Sequence, residues 1–401
     1  MFNDKITAKI TRGTLSLALV FLLIEFFDEL HYGIQTAVLP ALRADLGLSY
    51  AQIGLLLGLP KVIGTLIEPL LMLLGDTALR KRLVLGGGLA IVLSLVLVAG
   101  ASSFPVVLFA FIVSYPASGA FVSLSQATLM DLNPGREPQG MARWSVAGSF
   151  GNLLGPLLVA GGFALALGWR WAYLALATFA LILTLVVLPR PFPAHPVAQT
   201  APGVTRSGML REILDNLWAA IRNLRLLRWL VLLELSGLLL DVFTGYAALY
   251  LTDVAGFSPA QASLAIGALM LASLASDLVL IPLLERVPGR TVVRLSATAS
   301  IFIYAAWLLA PWLLAKLVLL VAVRFSTIGW YQVLQGEAYA AAPGRSGTVM
   351  ALTSAAGILG GGLTWLVGWT AGQAGLPVAM GLLLLGPLSL ALFVPRTQKK
   401  D

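Results

Sequence analysis

The 401-residue chain contains no cysteine and only two histidines. Without cysteine there are no disulfides, thiolate metal sites or cysteine nucleophiles. One histidine, His195, sits in a polar Pro- and Ala-rich stretch, so a membrane-embedded nucleophile–base set or metal centre has almost nothing to be built from. No catalytic residue, no metal ligand and no cofactor are expected, and an enzyme is not the reading. Charge is scarce as well: Asp, Glu, Lys and Arg make up 11% of the chain, against 59% hydrophobic residues. A soluble domain of this length needs far more charge on its surface. Small residues of a cleavage site are also missing after the basic segment MFNDKITAKITRG, so the first apolar run is expected to stay as a helix, not leave as a signal peptide.

Long apolar runs fill the rest. Mean hydropathy is +0.91, and windows of the roughly 20 residues a bilayer requires recur along the chain. Twelve can be drawn, near 14–39, 49–74, 83–101, 104–130, 140–166, 169–188, 226–252, 260–284, 292–312, 315–338, 348–370 and 375–394. The expected fold is an all-α polytopic membrane protein with twelve transmembrane helices. Of its 26 basic residues, 21 fall in one alternating set of loops and tails, only Arg43, Arg170 and Lys316 in the other, and Lys61 and Arg324 inside helices. By the positive-inside rule both termini are cytoplasmic, in a plasma or inner membrane. The net charge of +8 is thereby explained by topology, and nucleic acid is not an expected partner.

The longest polar segment separates six windows from six, giving an N-terminal bundle over 1–188, a linker over 189–225 and a C-terminal bundle over 226–401. Within the linker, residues 207–225 read as a basic amphipathic helix on the inner leaflet or as a plain connector. One offset, 209 residues, relates the halves. It carries Gly47, Ser49, Ala51 and Gln52 onto Gly256, Ser258, Ala260 and Gln261, and Gln126 onto Gln335. It carries Pro134-Gly135-Arg136 onto Pro343-Gly344-Arg345, and Glu25, Glu68 and Asp76 onto Glu234, Asp277 and Glu285. The chain is a duplicated six-helix unit, both copies in one orientation.

Local motifs follow the same plan. LLGDTALRKR supplies Gly75, Asp76, Arg80, Lys81 and Arg82 between windows two and three; its second-half copy, LLERVPGR, keeps Glu285, Gly289 and Arg290. GSFGNLLGPLLVAGG supplies Gly151, Gly155 and Pro156 in window five. With the two parallel six-helix halves, these motifs resemble the major facilitator superfamily over the whole chain, and its drug/proton antiporter branch in particular. The resemblance implies rocking of the halves about a cavity lined by the first helix. It assigns Gly75, Asp76, Arg80, Arg82, Gly155, Pro156, Glu285 and Arg290 to gating; Glu68 and Asp277, at equivalent places toward the cytoplasmic ends of windows two and eight, are expected to join that network. One feature of that branch is absent: where an arginine precedes glycine by four residues in the fourth helix, this chain has Tyr115 before Gly119. The repeat offset places an arginine, Arg324, in the opposite half.

The intramembrane charges carry the functional reading. At 100° per residue, Glu25, Glu29 and Tyr32 share one helical face, Asp28 flanks it and His31 lies further round. A charge at the bilayer centre costs about 2.5–3.5 kcal/mol on insertion scales, so such residues face a cavity or one another. Lys61 is expected to pair with Glu25, Asp28 or Glu29, and Arg324 with Glu234, Asp241 or Asp277. Seven buried acids (Glu25, Asp28, Glu29, Glu68, Glu234, Asp241, Asp277) against two bases leave carboxylates that need a proton or a cationic ligand. Tyr115, Gln126, Tyr331 and Gln335 either line the substrate path or pack between helices. The expected function is secondary active transport by alternating access, with proton-coupled export of small amphipathic or cationic compounds by a monomer. Two alternatives stand beside it: divalent-metal transport through Asp28, Glu29 and His31, and translocation of a lipid or anionic amphiphile through Lys61 and Arg324.

Overall fold

The structure is a computed structural model that describes residues 2–75, 79–132, 137–192, 222–341 and 346–396. Asp76, the two Pro-Gly-Arg segments and residues 193–221 of the linker, with most of the expected amphipathic helix over 207–225, lie outside the described residues. Among the described residues there are twelve helical segments. These are α1 (Phe2–Leu46), α2 (Tyr50–Gly75), α3 (Arg80–Ala99), α4 (104–131), α5 (Glu137–Ala164) and α6 (Arg170–Val187), then α7 (224–253), α8 (Pro259–Arg286), α9 (Gly289–Leu309), α10 (313–341), α11 (Ser346–Ala374) and α12 (376–393). Nine of them are long and apolar enough to cross a membrane by length and composition. The first is not among the nine; it carries three carboxylates within five residues, Glu25 to Glu29.

Contacts divide the chain into two compact units. One comprises residues 1–46 and 66–198, the other 47–65 and 199–401, so that α2 contributes to both. In the first unit α1 packs along α5 and α6, and α3 packs on α4 and α6. In the second, α7 packs on α11 and α12, and α9 on α10 and α12. One pairing scheme is used twice, as the duplication requires. Large leucines on the rim of each unit, such as Leu89, Leu93, Leu271 and Leu278, are exposed, and suit lipid tails better than water.

The repeat is visible in backbone detail. Gly47 and Gly256 both adopt positive φ, +61° and +76°, where a side chain is strained and glycine is not. Each turn leads into a reciprocal cap. Gln52 N–H donates to Ser49 Oγ at 3.2 Å and Ser49 N–H to Gln52 Oε1 at 2.9 Å. Gln261 and Ser258 repeat the pair at 3.3 and 2.9 Å, satisfying N–H groups that open helix ends leave bare.

Three helices are irregular. α4 consists of Phe104–Ser118, a π-helical turn at Gly119–Ser123 and Leu124–Asp131. α7 has a π-helical turn at Leu238–Val242, and α10 is broken between Ser326 and Trp330 at Gly329, where φ is +75°. π-turns inside α-helices occur mostly at functional sites.

Small residues set the α1–α5 distance. A Cβ on Gly151 would land on the Phe26 carbonyl oxygen, and one on Gly155 would lie 2.8 Å from Leu30 O. Backbones that approach this closely pack without any side chain between them. Gly151→Ala is therefore expected to destabilise the protein by about 1–3 kcal/mol, read as a lower thermal midpoint in detergent. Gly161→Ala, whose added methyl meets open space, is expected not to lower it.

Candidate functional site

The acid stripe of α1 faces its own unit's interior. Glu25 is buried, 9% exposed, and the charged groups acting on it are Asp28 and Glu29. Asp28 accepts a hydrogen bond from Ser118 Oγ at 2.7 Å, donated from the last residue before the π-turn of α4. Glu29 Oε2 accepts one from Asn152 Nδ2 at 3.0 Å. Gly148 of α5 leaves room for the cluster: a Cβ there would lie 2.6 Å from Glu25 Oε1 and 3.1 Å from Glu29 Cγ. Glu68 joins from α2, acting on Asp28, with its Oε1 3.1 Å from where Gly119 would carry a Cβ. Four carboxylates are thus drawn together, two of them, Asp28 and Glu29, tethered by neutral donors.

His31 stands apart from them. Its ring stacks 6.3 Å from Phe27 and meets Tyr173 edge-on at 6.4 Å, part of an aromatic layer with Phe121 and Phe179. Tyr32 and Tyr115 are each more than one-third exposed. Gln126 and Gln335 are half-buried.

The second unit holds the other charges around a cavity of about 320 Å³, lined by Lys61, Glu234, Asp241, Asp277, Arg324, Tyr331 and Gln332 among others. Lys61 acts on Glu234, and both lie over Gly360: a Cβ there would sit 2.9 Å from Lys61 Nζ and would overlap Glu234 Oε2. The Gly360 N–H also donates to Glu234. The expected pairing of Lys61 with the acids of α1 is thereby corrected. Its carboxylate comes from α7, because the first part of α2 packs with the second unit. Arg324 acts on Asp277 and donates to Ser273 Oγ at 2.6 Å, while Gln332 Nε2 donates to Asp277 Oδ1 at 3.0 Å. Of the residues expected in the gating network, Glu68 stands beside Asp28 and Asp277 lines this cavity.

The loop-motif cations are engaged elsewhere. Arg80 is buried and donates through Nε to Gly75 O at 2.7 Å; Arg82 and Glu285 are exposed. Arg290 forms a two-pronged pair with Glu337, Nε to Oε1 at 2.6 Å and Nη2 to Oε2 at 2.5 Å, its guanidinium 5.4 Å from the Trp229 ring centroid. Sequence reasoning missed Glu337, which has no acidic counterpart at the repeat offset, Thr128 standing there. It also missed Asn152, a lone amide in an apolar run. Lys316, assigned to a loop, is buried: its Nζ donates to Trp307 O at 2.9 Å and lies 5.0 Å from the Tyr250 ring.

The sequence profile of the Major Facilitator Superfamily matches residues 21–364. The chain belongs to that superfamily. No curated protein matches it. Among solved structures, the nucleoside transporter NupG is 18% identical, with a TM-score of 0.72 over 94% of this chain and 97% of that one. A D-xylose-proton symporter is 17% identical, TM-score 0.70, over 96% and 98%. A bacterial homologue of the human lysosomal transporter Spinster, inward-facing and occupied, is 16% identical, TM-score 0.71, over 96% of both chains. At such identities the likeness is one of fold. Membership makes this chain a multi-pass membrane transporter, not an enzyme, with a small molecule as its cargo.

Removing either partner of the Arg290–Glu337 pair strands a half-buried charge. A double-mutant cycle with Arg290→Gln and Glu337→Gln is expected to return a coupling of about 1–3 kcal/mol. Thermal or denaturant stability of the purified superfamily member reads it.

Proposed function

We propose that this superfamily member is a proton-coupled secondary transporter that moves small amphipathic or cationic compounds outward by alternating access. Its six-helix halves are taken as 1–188 and 226–401, joined by the linker 189–225, with both termini cytoplasmic by the positive-inside rule. The observation that carries the reading is the α1 cluster. Glu25 is buried with Asp28 and Glu29 as the charges acting on it, and Glu68 adds a fourth carboxylate beside Asp28. Like charges gathered in a low-dielectric interior demand a cation, and a proton is the smallest one available. Exchanging that proton with the medium on each cycle couples transport to the proton gradient.

Outward movement is supported by α5. Gly151, Gly155 and Pro156 place the Gly-Pro element directly against α1, Gly151 on Phe26 and Gly155 on Leu30 and Ile34. A change of charge at the acids therefore bears on the interface that the exporter-like motif builds.

The alternatives fare less well. Divalent metal transport would draw on His31, but its ring is engaged by Phe27 and Tyr173, off the carboxylate face. A lipid or anionic amphiphile would need Lys61 and Arg324, and each acts on a carboxylate of its own, Glu234 and Asp277.

Proteoliposomes test the reading. With an imposed pH gradient, organic amines, Mn²⁺ and lysolipids are offered in turn, while a pH-sensitive dye reports proton flux. The expected outcome is gradient-driven accumulation of an organic cation with opposite proton movement, abolished by Glu25→Gln and by Asp28→Asn. Accumulation of Mn²⁺ or lysolipid alone, or undiminished coupling in both variants, sinks it.

A further inference from the structure

Charge in the second unit's cavity does not balance. Its lining carries two cations, Lys61 and Arg324, and three carboxylates, Glu234, Asp241 and Asp277. Two of those carboxylates are answered: Lys61 acts on Glu234, which also accepts from the Gly360 N–H, and Arg324 acts on Asp277, which also accepts from Gln332. Asp241 is the remainder. The charge it meets is Glu234, of its own sign, and no hydrogen-bond donor among the described residues reaches its carboxylate.

Backbone geometry presents that carboxylate to the cavity. Asp241 sits in the π-turn Leu238–Val242, where one extra residue in the turn re-aims the side chains that follow. Gly237, one turn earlier, offers no side chain to cover it; a Cβ there would lie 3.5 Å from Asp241 Oδ2. The side chain is exposed, as those of Asp277, Tyr331 and Gln332 are, and Leu240 and Tyr331 line the space with it. A cavity of about 320 Å³ falls at the small end of ligand sites, about 300–1,000 Å³.

We infer that this cavity binds a small organic monocation, with Asp241 as the counter-ion of the ligand's ammonium, separately from the α1 carboxylates that exchange protons. An amine N–H⁺ donates to Asp241 and brings the lining to neutrality; its hydrocarbon body lies on Leu240 and Tyr331. A dication would overshoot the single unmatched charge. An anion would meet three carboxylates against two cations. This deepens the proposed function, resting on its reading that organic cations are carried, and it divides the work: cargo charge at α7, coupling proton at α1.

The probe pair is phenethylamine and phenethyl alcohol, alike in body and different in charge. Binding to the full-length protein in detergent is measured by calorimetry and thermal shift, and proton-coupled uptake in proteoliposomes alongside. Wild type is expected to bind the amine and not the alcohol. Asp241→Asn should weaken amine binding about ten- to hundredfold, the worth of a charge-assisted hydrogen bond, while Asp241→Glu retains it. Should Asp241→Asn fail to fold, Asp241→Glu and the amine–alcohol contrast in wild type decide. Equal binding of both probes by wild type, or full amine affinity in Asp241→Asn, overturns the assignment. Amine binding that depends on Asp241 without any proton flux would sink the coupling reading and leave this site standing; proton-coupled uptake indifferent to Asp241 would do the reverse.

Discussion

A charge inside a bilayer must face an opposite charge, a hydrogen-bond donor or water, and this constraint organises the molecule. The two units meet it differently. In the first, carboxylates gather and are tethered by neutral donors, Ser118 on Asp28 and Asn152 on Glu29. In the second, the two cations that line the cavity each act on a carboxylate, Lys61 on Glu234 and Arg324 on Asp277. Glycine makes the room in both. Gly148 and Gly151 fall, at the 209-residue offset, on Gly357 and Gly360; Glu25 lies over Gly148, and Glu234 with Lys61 over Gly360. The duplication preserved the glutamate and the bare helix face beneath it, and only one copy acquired a lysine.

What the repeat kept is backbone; what it let diverge is charge. The turns at Gly47 and Gly256, with their reciprocal Ser–Gln caps, are nearly identical in geometry. The irregularity of α4 begins after Ser118 and that of α10 at Thr327, which are the same repeat position. At each, the residue next to the irregularity touches the charge system: Ser118 donates to Asp28, and Thr327 lines the cavity with Asp277 and Arg324. Distorted helix thus recurs where polar groups must be aimed inward. Tyr115 against Arg324, and Asp28 against Gly237, are where the copies part.

The sequence made the helices, the duplication and the α1 stripe legible, because apolar length, a constant offset and a 100° period are local quantities. His31 was placed off the stripe by that same period, and its ring indeed meets Phe27 and Tyr173. Partners across helices were not legible. Lys61 lies closer in sequence to Glu25 than to Glu234, and nothing in its neighbourhood shows that the first part of α2 packs with the second unit. Glu337 gave no sign of its bond to Arg290, since the offset has Thr128 there. Asn152 carried a weak signal, an amide among leucines, one residue beyond Gly151. The cavity was beyond reach, being defined by which side chains answer which.

That last property has a mechanistic consequence. On the proposed reading, a cavity whose cations and carboxylates nearly balance tolerates the loss of water once a monocation answers its single unmatched carboxylate. A cluster of like charges has no such tolerance: before its surroundings close, it must take up a cation or remain wet. On the proposed reading, this asymmetry is the coupling device. The first unit's closure waits on a proton, the second unit's on the cargo's charge. Neither requirement needs the two ligands to touch, because each acts on the closing step that alternating access makes common to both.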